Sequence, residues 1–331
     1  MQNYNYYPDP RENEIYLAER GERKRLGRAA LAVTAPCFVF FLFTEFYRNI
    51  VLFIGGSLGF SEEKTIKFLS DPFVVSVAQI AVALVILTLP FVLSAKAYGF
   101  NISHFAALKK PRQGTSFPFF LFGVGFCAFA NVAVNSAGRV FERFGLKSPN
   151  VREALPEGTW GFLITVVATA IVPALVEEFA FRGIIQGILL PFGEAFSILA
   201  TATTFGMLHG NFEQIPFAFL VGLVLGFIRI KTGSLAICMA VHAANNLISV
   251  LASYSRSLPV SVSNMIYTVY ILSVLMLAIL GVALIKNENT FDFKEYQGVL
   301  AAKKRYAGFF FSLSYIAFFM LFLFRAVNHF F

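Results

Sequence analysis

Long apolar runs separated by short polar stretches set the pattern of this chain. A helical crossing of a lipid bilayer takes about 20 mostly apolar residues. Nine stretches approach that length: 29–54, 73–95, 117–137, 159–190, 195–210, 213–230, 233–253, 264–285 and 308–328. The fourth is too long for one straight crossing and holds Pro173, which predicts a bend or break there. The fifth and sixth are short, so they are expected to tilt or to be shielded from lipid by neighbours. The pattern predicts an all-α fold, a polytopic transmembrane helical bundle of eight to nine spans.

Composition points the same way. Hydrophobic residues make up 57% of the 331 and charged residues only 14%, whereas a soluble domain carries about a quarter charged residues. The 41 phenylalanines are too many for one soluble core, so the solvent for much of this surface is lipid. Cys37, Cys127 and Cys238 each fall inside an apolar run, and their spacing builds neither a disulfide framework nor a zinc motif.

Charge divides the chain further. Residues 1–28 are polar and mixed in charge, and a secretory signal would place its apolar stretch nearer Met1. They read as a cytoplasmic tail, with helix expected from Glu12 to Arg28. Residues 29–116 supply two accessory spans and a basic loop, 117–253 a core holding nearly all the polar groups inside spans, and 254–331 further spans around a charged loop. With nine spans and the N-terminus inside, the inside segments hold twice as many Lys and Arg as the outside ones, which favours a cytoplasmic N-terminus. In a prokaryote the membrane would be the cell membrane. The basic residues are spread over loops between spans, so the net charge of +8 suits membrane topology and contact with membrane lipids rather than a nucleic-acid partner.

Ionisable groups inside a span cost a few kcal/mol each on insertion scales and are functional candidates for that reason. Three clusters stand out: Glu177-Glu178 with Arg182, Phe205 with His209, and His242 with Asn245-Asn246. Glu178 and Arg182 are four apart, in the favourable order for a helical ion pair, and Glu177 points about 100° away. Folded back about the turn at 191–194, Glu177 and His209 both lie roughly 20 Å from it at about 1.5 Å per residue. His242 and Asn246 share a face at a similar level. A carboxylate held away from water is a stronger base, a neighbouring imidazole can share a water proton, and a second His with an Asn amide can donate to an oxyanion. Cys238, four residues before His242, raises a covalent alternative. It would leave Glu177 and His209 without a task, so attack by activated water is preferred.

At these residues the chain resembles the CAAX protease and bacteriocin-processing family, also called the type II CAAX prenyl endopeptidase or Abi family. The motifs are Glu177-Glu178…Arg182, Phe205…His209 and His242…Asn246, with Phe181-Arg182-Gly183 and Lys231-Thr232-Gly233-Ser234-Leu235 similar as well. The resemblance covers roughly 117–253. It implies an intramembrane endopeptidase in which Glu177, helped by His209, activates water, His242 and Asn246 form the oxyanion site, and Glu178 and Arg182 support the helix. It also implies a peptide or lipidated-protein substrate. The family has been described as metal-dependent, and Glu177, His209 and His242 are a conceivable zinc set. Their origin on three helices, with no His-Glu-x-x-His, favours a metal-free route.

Blander roles are weighed for other residues. Asn131 and Asn135 either line the cavity or hydrogen-bond between helices, and Gly222 and Gly226 mark a close helix approach. His104 and His329 lie in a loop and at the C-terminus and are set aside. A non-catalytic immunity or scaffold protein is the alternative function, although it has no need to bury Glu177, His209, His242 and Asn246. A transporter using Glu177 as a proton relay would call for a broken-helix repeat, which the sequence lacks.

Overall fold

The computed structural model describes residues 10–106, 108–111, 114–143, 154–212, 214–255, 258–285 and 292–330, and all regular structure among them is helical. Arg112, Lys147, Arg152, Arg256 and Lys286, which entered the charge comparison, lie outside the described residues, as do the side chains of His104 and His329.

Among the described residues, seven helices are long and apolar enough to cross a membrane: Asn13–Ser57, Pro72–Tyr98, Ser116–Gly138, Gly158–Phe192, Gln214–Thr232, Leu235–Ser255 and Val260–Leu284. Ala302–Phe310 and Leu313–Asn328 meet at 55° and make an eighth if counted as one bent span. The chain is an integral, multi-pass membrane protein. The fifth apolar run is corrected to a short helix, Glu194–Leu208, of 15 residues. That is about 22 Å long, less than the ~30 Å hydrocarbon core. It packs beside Gln214–Thr232 with most of its residues buried.

Local signals explain several boundaries. Asp71 caps the second span, accepting hydrogen bonds from Phe73 N and Val74 N at 3.0 Å, with Pro72 at the first helical position. Pro90 opens a second segment within that span, Leu89–Tyr98, which Gly99 ends at φ 83°. The expectation of a break at Pro173 needs correction. The Gly158–Phe192 helix runs on past it by widening into π-turns over Val166–Ile171 and Phe179–Ile185, which redistributes the hydrogen bond that proline cannot donate.

Close packing brings the core helices together. A Cβ on Gly222 would lie 3.0 Å from both the Cα and the Cβ of Ala202, and one on Gly226 would lie 3.2 Å from Ile198. These glycines therefore let the Glu194–Leu208 and Gln214–Thr232 helices approach, as read from their spacing. Gly222→Ala is expected to lower stability by about 1–3 kcal/mol through overpacking. A fall in the melting temperature of the detergent-purified protein checks it.

One end of the bundle is tied together by loops. Glu22, on the first helix, accepts from Tyr296 Oη at 2.6 Å, Val299 N at 3.0 Å and Leu300 N at 2.9 Å. Burial and the Glu22 carboxylate push the Tyr296 phenol up to about 12. Lys294 N donates to Glu194 at 3.0 Å, Arg229 donates to the Phe105 carbonyl, and Lys231 to the Asp292 carbonyl. The helix containing residues 10–28 continues without interruption into the first span.

Candidate active site

Four helical segments enclose an open cavity of about 400 Å³ whose lining includes Glu177, His209, His242 and Asn246. The Gly158–Phe192 helix supplies Glu177, and the Leu235–Ser255 helix supplies His242 and Asn246. His209 follows Leu208 at the end of the short helix, where Gly210 takes φ 66° and stops the helix. That stop presents the imidazole at the cavity wall. The structure thus brings together the four side chains that the sequence placed at one depth.

Glu178 faces the other way, into the protein. Its Oε1 accepts from Arg182 Nη1 at 2.7 Å, with both side chains fully buried. Sequence reasoning found that pair but missed the other partner of the same oxygen, His242 Nδ1 at 2.8 Å. Arg182 also stands 4.5 Å above the Phe205 ring and donates to the Gly222 carbonyl at 3.4 Å. Gln186, one turn on, donates to the Gly226 carbonyl at 3.0 Å. A buried cation is thereby held by a carboxylate, an aromatic face and a carbonyl.

The partners fix both imidazoles. An ionised carboxylate and a carbonyl only accept hydrogen bonds, so His242 Nδ1 donates to Glu178. By the same logic His209 Nδ1 donates to the Phe205 carbonyl, 2.9 Å away. Each ring keeps Nε2 for chemistry. Nε2 of His242 lies 3.9 Å from Glu177 Oε2, so a doubly protonated His242 has a carboxylate near each nitrogen. Phe205 wedges between the rings, edge-on to His209 at 4.9 Å and to His242 at 6.1 Å. Phe205→Leu removes the cation–π contact and is expected to destabilise by about 1–2 kcal/mol. A drop in melting temperature with an intact helical circular-dichroism signal checks this.

Asn246 has a local reason for its pose. In an α-helix the N–H four residues on, that of Pro173, would serve the Thr169 carbonyl, and proline has none. Asn246 Nδ2 donates to that carbonyl at 3.1 Å, and Asn245 Nδ2 donates to Asn246 Oδ1 at 3.2 Å. Of the two amide hydrogens on Asn246, one remains. Asn245, buried beside it, lines the same cavity, and sequence reasoning missed it.

Other candidates are placed elsewhere. Cys238 is fully buried and its thiol approaches the carbonyls of Leu225 at 3.4 Å and Ser234 at 3.5 Å; the Cys–His pairing finds no support there. Asn131 accepts from Asn135 at 2.7 Å along one helix face, outside the cavity, so among the described residues this pair neither lines it nor bridges helices. Zinc takes ligands converging at about 2 Å on one point. Among the described residues no three His, Cys, Asp or Glu side chains form such a group.

Residues 159–248 match the model of the family described as type II CAAX prenyl endopeptidase, Rce1-like. The matched segment contains Glu177, Glu178, Arg182, His209, His242 and Asn246. It supports a CAAX-type intramembrane protease kind of function. Neither a curated protein nor a solved structure matches the chain.

Proposed function

We propose, from the premise that residues 159–248 form an Rce1-like domain, that this protein is an endopeptidase hydrolysing a peptide bond at or within the bilayer. The observation that carries the reading is the shared cavity of Glu177, His209, His242 and Asn246. The lone pair on His209 Nε2 and the Glu177 carboxylate are two acceptors for the two protons of one water. As that water's oxygen bonds to the scissile carbonyl carbon, its proton passes to Glu177, with His209 sharing the load. The carbonyl oxygen becomes an oxyanion, met by the free Asn246 amide hydrogen and by Nε2–H of protonated His242. Collapse breaks the C–N bond, and the proton held by Glu177 and His209 goes to the leaving amine.

Glu178 acts in this scheme by fixing His242, as a buried carboxylate orients the histidine of a hydrolytic triad. The substrate is a peptide or a lipidated protein held among membrane lipids. No step requires a metal.

Cleavage of a peptide library by the purified protein in lipid, read by mass spectrometry, tests the proposal. His209→Ala is expected to lower the rate at least about 100-fold, and a chelator to leave the wild type unchanged. Equal rates for His209→Ala and wild type would overturn the proton route. Loss of wild-type activity with chelator would overturn the metal-free one.

A further inference from the structure

Each helix that lines the cavity does so mainly along the part remote from the loop-tied end, with Glu177 and His242 near mid-helix. The Leu235–Ser255 helix leaves the Lys231 turn and reaches the cavity only from His242 to Ser253. The Gln214–Thr232 helix lines it from Gln214 to Val221 and afterwards runs on to Arg229 and Lys231. The Gly158–Phe192 helix passes Thr165 and Glu177 before it arrives at the turn facing Tyr296. The short helix contributes Phe205 and then His209, far from Glu194. Burial along the lining agrees: Phe205, Val221 and His242 are buried, whereas Leu155, Gln214 and Ser249 are exposed. The floor of the cavity faces the loop-tied end and its mouth faces the opposite one.

The loop-tied end is rich in cations. It gathers Arg20, Arg23, Lys24, Arg25 and Arg28 of the first helix, Arg229 and Lys231, and Lys294 with Lys303 and Lys304. Toward the opposite end the described cations are fewer: Arg48, Lys64, Lys67 and, beside Phe41 and Gly210, Arg325. Lys and Arg in short loops orient membrane proteins with the cation-rich side in the cytoplasm.

We infer that the catalytic cavity opens on the extracytoplasmic side. Its substrates are peptides whose scissile bond is presented in the outer half of the bilayer or just beyond, as in exported or outward-anchored segments. A C-terminus lipidated in the cytoplasm reaches the opposite, closed face. The substrate class rests on the cavity being the cutting site; the orientation does not.

The native thiols make a clean test possible, because Cys37, Cys127 and Cys238 are all fully buried. Single-cysteine reporters are placed at the mouth, Gln214→Cys, and at the cation-rich end, Lys303→Cys, both exposed positions. Intact cells and opened membranes are treated with a membrane-impermeant maleimide, with labelling in denaturant giving the total thiol. Gln214→Cys is expected to label in intact cells and Lys303→Cys only after the membranes are opened. The reverse pattern, or equal labelling of both in intact cells, overturns the inference. Adding Glu177→Gln to each reporter keeps the readouts separate, since the labelling pattern must persist when cleavage is lost. Should labelling hold while wild-type protein cuts no peptide, the orientation stands and the protease reading falls.

Discussion

Glu177→Gln is expected to lower the rate of peptide cleavage by about 10²–10⁴-fold, the usual contribution of a positioned general base. The substitution keeps shape and removes only the capacity to take a proton. Its effect on folding should be slight. The Glu177 side chain is 18% exposed, lines the cavity, and stands 3.9 Å from His242, beyond hydrogen-bond reach. The check is paired: single-turnover cleavage by wild type and variant, with melting temperatures measured on the same samples. A variant that cuts at the wild-type rate removes Glu177 from the chemistry. One that melts far below wild type shows that its role was structural.

The neighbouring glutamate should behave in the opposite way. Glu178→Ala strands the Arg182 cation in a site with no exposure and strips His242 Nδ1 of its acceptor. Breaking a buried pair from one side costs about 3–5 kcal/mol, so much of the protein should fail to accumulate in the folded state. Replacing both members, Glu178→Leu with Arg182→Met, removes the stranded charge and should restore most of the melting temperature. Cleavage should stay low in the double variant, because His242 still lacks the carboxylate that fixes its ring. Recovery of activity together with stability would show that Glu178 serves Arg182 alone.

The two glutamates also show how far the sequence could be read. Helical periodicity separated Glu177 from Glu178 and paired the latter with Arg182, because that contact spans a single turn. It could not show that the same oxygen also holds His242, a contact across 64 positions. Such a contact depends on which helices are neighbours, and no local pattern encodes that. Depth counting brought Glu177 and His209 to one cavity because the short helix folds back about its turn along the helix before it. Pro173 was visible, but its consequence was not: neighbouring helices let the span widen into π-turns where a break was expected. Asn131 and Asn135 misled because two amides four residues apart can satisfy each other without any second helix. The short fifth helix was flagged by length alone, and its shielding follows from glycines whose spacing was legible.

The bond between Asn246 and the Thr169 carbonyl also concerns entropy. A free asparagine side chain samples several rotamers, and holding one for an incoming oxyanion would cost part of the binding free energy at every turnover. Here the Thr169 carbonyl, in the widened turn before Pro173, accepts one amide hydrogen and holds the side chain in place. The ordering is complete before a substrate arrives, so the remaining hydrogen is aimed at no further cost.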